Sequence, residues 1–134
     1  MAIWQLYFQL IPIDKKVYDP NTLLSDASVS VLAVELPKAA SWCEDDLLFG
    51  DLDATCVEIG FHYSAIDEIS VRLDIRSLSK KQLDAIIEFA RFNNLQILCN
   101  EKTMAATTDN VCRMIRQSDA LRYLENPQQF LTDL

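Results

Sequence analysis

Near the N-terminus, Trp4, Leu6, Phe8 and Leu10 alternate with Gln5, Tyr7 and Gln9. That period of two predicts a half-buried strand over Ile3 to Ile13, checked at Pro12. Asp14 to Ala27 is polar, and Asp19-Pro20-Asn21 reads as a turn. Val29 to Leu36 admits two readings. One is a second strand stopped by Pro37; the other is a short helix, which Ala33, Ala39, Ala40 and Trp42 would suit. Further on, Val57, Ile59, Phe61 and Tyr63 make one apolar face, and Ile69, Val71, Leu73 and Ile75 make another. Ser64-Ala65-Ile66 between them has the length of a hairpin connection. A three-residue loop pairs Tyr63 with Asp67, which sets Glu58 against Arg72 and His62 against Glu68 on the polar face.

The spacing then changes to that of a helix. Ser79-Lys80-Lys81-Gln82 fits a capping box, in which Ser and Gln satisfy exposed amides at a helix start. Leu83, Ile86, Ile87, Phe89 and Ala90 follow at helical intervals until Asn93 or Asn94. Leu95 to Cys99 is a short apolar strand. Thr107 or Thr108 caps a second helix with Val111, Met114, Ile115 and later Leu121 inward. Asn126-Pro127 opens a last short helix that buries Phe130, Leu131 and Leu134. Strands first and helices later predict one α+β domain over residues 1–134. It has a mostly antiparallel sheet of about four strands, with two to three helices packed on one face. The crossover from Ile75 to Leu95 leaves room for a final strand parallel to its neighbour.

Charge adds what periodicity cannot. Between Glu44 and Asp74 lie nine of the 20 carboxylates and one basic residue, Arg72, so this stretch alone carries the chain's net charge of −8. Such a surface repels nucleic acid and anionic membrane and attracts a basic protein or a cation. The remaining cations, among them Lys80, Lys81, Arg91, Arg113 and Arg116, alternate with acids and form no nucleic-acid stripe. No apolar run approaches the roughly 20 residues of a membrane helix. The N-terminus lacks the pattern of a secretory signal. Cys43, Cys56, Cys99 and Cys112 are widely spaced, as free thiols of a cytoplasmic protein would be. Only Gly50 and Gly60 are present, too few for a phosphate-cradling loop.

Asp51-Leu52-Asp53, after Glu44-Asp45-Asp46, offers the oxygen ligands a hard cation wants, although the spacing fits no EF-hand. A solvated or partner-facing acidic loop is the simpler reading, and no metal or other cofactor is expected. His62 is the one histidine, and no nucleophile is placed beside it. Cys56 and His62 share a strand face but stand about 20 Å apart along it. Trp42 and Phe49 flank the acids, as apolar anchors of a protein-binding patch do; the alternative is that both tuck under the sheet.

Gly50 to Glu58, Ile69 to Arg76 and the closing Ser118 to Leu131 resemble small acidic bacterial proteins encoded beside toxins as immunity proteins. The resemblance covers roughly Gly50 to Leu134. It implies a non-enzymatic protein that neutralises a basic toxin by covering its active surface with carboxylates. The residues expected to bind the partner are Trp42, Glu44, Asp45, Asp46, Phe49, Asp51, Asp53 and Glu58. Two alternatives stand beside it: a small metal-dependent enzyme using Asp51 and Asp53, and a structural or regulatory subunit that oligomerises through a sheet edge.

Overall fold

The computed structural model describes residues 4–14, 17–41, 43, 45–123 and 126–134, with residues 122–123 as backbone alone. The N-terminal alternation becomes β1 (Gln5–Pro12), with Phe8 and Leu10 buried. Asp19 caps α1 (Pro20–Leu23), its carboxylate accepting from the Asn21 amide. The Asp-Pro pair read as a turn is therefore a helix start, with proline at the first position where no amide partner is needed. The doubtful segment resolves as a helix, α2 (Asp26–Ala33), capped by Ser25. Ser28 and Leu32, four residues apart, face inward, and the buried Ser28 hydroxyl accepts a 2.8 Å hydrogen bond from Asn93 Nδ2. Strands β2 (Lys38–Ala39), β3 (Leu47–Gly50), β4 (Cys56–His62) and β5 (Ala65–Asp74) follow.

After the capping box, which forms as expected at Ser79 and Gln82, come α3 (Lys80–Phe92) and β6 (Leu95–Cys99). The chain ends with β7 (Lys102–Ala105), α4 (Thr108–Gln117, capped by Thr107), a 3-10 turn over Asp119–Tyr123, and α5 (Pro127–Asp133). The architecture is α+β. About four strands and two to three helices is an undercount, because among the described residues seven strands form one antiparallel sheet in the order β2-β3-β4-β5-β1-β6-β7 and five α-helices accompany it.

The position of β1 is what the linear order concealed. It inserts between β5 and β6 and pairs antiparallel with both. The crossover through α3 therefore spans β1, and β6 does not pair with β5 as a parallel neighbour. The β4–β5 register also differs from expectation. A two-residue turn at Tyr63-Ser64 pairs His62 with Ala65, and beyond it Glu58 meets Ser70 while Arg72 meets Cys56. Phe61 pairs with Ile66 but Gly60 pairs with Glu68, so Asp67 is the extra residue of a β-bulge. The offset of two keeps Val57, Ile59, Ile69, Val71, Leu73 and Ile75 buried as expected, but Tyr63 leaves the apolar face for the exposed turn. Val57, Ile59, Ile69, Val71 and Leu73 join Leu32, Leu83, Ile86, Phe89, Val111 and Ile115 in one core. Among the described residues, the helices thus pack on the face of the sheet that carries this core.

Candidate functional site

The face opposite the helix-packed core carries half-buried polar residues of the central strands: Tyr7 and Gln9 from β1, Glu58 from β4, and Glu68, Ser70 and Arg72 from β5, with Leu48 and Cys56 buried among them. In a regular strand Asp67 and Glu68 would point to opposite faces. The bulge turns both toward one concavity of about 180 Å³, which they line with Asp46, Glu58, Gly60, Phe61 and Ser70. Asp46 is tied to it by a 3.1 Å hydrogen bond that its Oδ1 accepts from the Phe61 amide. Glu68 Oε1 accepts from Tyr7 Oη at 2.6 Å and from Gln9 Nε2 at 2.9 Å. Burial, and then the bond to Glu68, push the Tyr7 phenol up, so it stays a donor at neutral pH. Glu58 Oε2 accepts from Ser41 at 3.5 Å.

Gly60 forms the floor. A side chain there would have its nearest neighbours at 3.7 Å (the Glu68 carbonyl oxygen) and 3.9 Å (Asp46 Oδ1), which is ordinary contact. The space is therefore open because the residue is glycine. Neither ion pair among the described residues, Asp74–Arg76 at 3.0 Å and Lys80–Asp84 at 2.7 Å, draws on these four carboxylates. Among the described residues no group of three or more His, Cys, Asp or Glu side chains is arranged to hold a metal ion.

The eight residues singled out by sequence separate. Asp46 and Glu58 meet in the concavity, and Asp45 lies exposed beside it with Phe61, Tyr63 and Ser64. Asp51 and Asp53 lie at the far end of β3 and β4, in the tight turn from Gly50 to Cys56. There Asp51 Oδ1 accepts from the Asp53 amide at 2.9 Å, so this carboxylate serves its own turn. Phe49 is 1 % exposed in the core, which corrects its expected role as an anchor: its ring packs under the sheet. Trp42 and Glu44 lie outside the described residues.

Arg72 does not face Glu58. It lies between Cys56 and Tyr7 and donates from Nη1 to the Leu52 carbonyl at 3.2 Å, bracing the β3–β4 turn. His62 is exposed opposite Ala65, not Glu68, with its ring 4.4 Å from that of Tyr63. Burial pushes the Cys56, Cys99 and Cys112 thiols up, which keeps them protonated and poorly nucleophilic. Sequence reasoning passed over Asp67 and Glu68 as site residues. Both were visible in the acidic segment, but nothing local marks the bulge that converges them.

Fold and surface together define an α+β protein with an acidic concavity on the sheet face opposite the helix-packed core. Comparison with protein-family models, with curated proteins and with solved structures finds no match to this chain. No helix among the described residues is long and apolar enough to cross a membrane.

Proposed function

We propose that the protein is a non-enzymatic binding protein whose acidic sheet face engages a basic protein, in the manner of an immunity protein covering a toxin's active surface. The observation that carries this reading is the concavity of Asp46, Glu58, Asp67 and Glu68 around Gly60, four carboxylates without an ion-pair partner among the described residues. One-signed carboxylates speed encounter with a cationic surface, and a partner Lys or Arg entering the concavity gains a specific seat. Asp45 extends the same charge toward the β4–β5 turn.

The test is capture of a basic partner from the native host on immobilised wild type, Gly60→Leu, and Asp45→Asn with Asp46→Asn. A Cβ at Gly60 meets only ordinary contacts, so Gly60→Leu extends an uncharged side chain into the concavity without a backbone clash. Wild type should retain the partner. Its association rate should fall about tenfold or more between low and physiological salt, because steered encounter is screened. Gly60→Leu should lose the partner while melting normally. Retention by Gly60→Leu, or an on-rate indifferent to salt, would count against the reading.

A further inference from the structure

The β4–β5 turn is built from residues poorly suited to its geometry. Two-residue hairpin turns of this kind need positive φ at both central positions, which is why Asn-Gly or Asp-Gly usually fills them. Here Tyr63 and Ser64 hold φ of 50° and 66°. The β6–β7 turn has the same angles but places Asn100 first, a residue that tolerates the left-handed region. A bulky aromatic does not. Nor does the fold gain from Tyr63 in return, since it is 92 % exposed and its ring contact is the edge of His62. The turn therefore carries strain for a side chain that packs on almost nothing, and such outliers point to function.

The surroundings say what the ring would meet. Tyr63 walls an open concavity of about 480 Å³ with Asp45, Phe61 and Ser64, next to the acidic one. An aromatic face beside a carboxylate suits a planar cation, which stacks on the ring while it pairs with the acid. We infer that Tyr63 is a binding anchor that, with Asp45, receives an arginine side chain of a cationic protein partner. This rests on the reading of the acidic face as the docking surface. It adds an aromatic contact outside the carboxylate concavity and a preference for guanidinium over ammonium. A second copy of the chain is disfavoured as the partner, because each copy carries −8.

The experiment titrates hexa-arginine and hexa-lysine into the wild type, into Tyr63→Asn with Ser64→Gly, into Tyr63→Phe and into Gly60→Leu, at low ionic strength, with a melting curve for each. Wild type should bind hexa-arginine more tightly than hexa-lysine. The turn double variant should melt higher, because strain is relieved, yet bind hexa-arginine about fivefold more weakly and lose the arginine preference. Tyr63→Phe should keep that preference. A double variant that melts lower, or that binds hexa-arginine as wild type does, overturns the inference. If Gly60→Leu weakens binding and the Tyr63 variants do not, the acidic-face reading survives and this one fails. If wild type binds neither peptide, both fall.

Discussion

Gly50 holds φ +99°, and a Cβ on it would lie 2.4 Å from the Thr55 carbonyl oxygen. The close approach closes the turn that carries Asp51 and Asp53, with the Asp51 amide donating to that same oxygen at 3.1 Å. Gly50→Ala should therefore cost about 3 kcal/mol, since it adds both a backbone penalty and a steric one. The check is a lower denaturant midpoint at an unchanged slope. Gly60, by contrast, accepts a Cβ at ordinary contact distances, so the two glycines separate a structural requirement from an open surface position. Composition alone treats them alike. The same holds for the apolar side chains: nothing local distinguishes the core ring of Phe49 from the exposed ring of Tyr63, and only packing assigns them.

At the scale of elements, capping is where local sequence speaks most directly. Ser79 Oγ accepts from the Gln82 amide at 3.2 Å and Gln82 Oε1 accepts from the Ser79 amide at 3.2 Å, closing the box read from four residues. Ser79→Ala should cost about 1 kcal/mol, measured by the same denaturant melt. Strand β6 and the caps of α3, α4 and α5 were equally legible, because hydrogen-bonding side chains and period-two faces act over a few residues. The hairpins were less so. Neither Tyr63-Ser64 nor Asn100-Glu101 contains the glycine that advertises a tight turn, which hid β7 altogether and shifted the β4–β5 register by two residues. In α2, Val29, Val31 and Ala33 mimic strand alternation, and packing of Ser28 against Asn93 decides for the helix.

For the molecule as a whole, the buried and half-buried phenols and thiols set a pH dependence. Burial is the leading cause in Tyr7, Tyr18, Cys56, Cys99 and Cys112, and each is raised from its ordinary value of 10.0 or 9.0. All five are neutral when protonated, so a raised folded value means the folded state holds its proton longer than the unfolded chain. Their contribution to stability is complete below the ordinary thiol value of 9.0 and is lost as pH rises through the folded values. A melting-temperature profile should be level through neutrality on this account and decline above pH 9.0. What the sequence determined is the α+β class, the faces of the strands, the helix caps and the concentration of charge between Glu44 and Asp74, since each depends on residues close together in the chain. What tertiary structure decided is where that charge goes. Insertion of β1 between β5 and β6 brings Tyr7 and Gln9 to Glu68, and the Asp67 bulge gathers four carboxylates from β4, β5 and the approach to β3. Those contacts join residues as far as 61 positions apart, and their energy lies in register and packing, to which local propensity is blind.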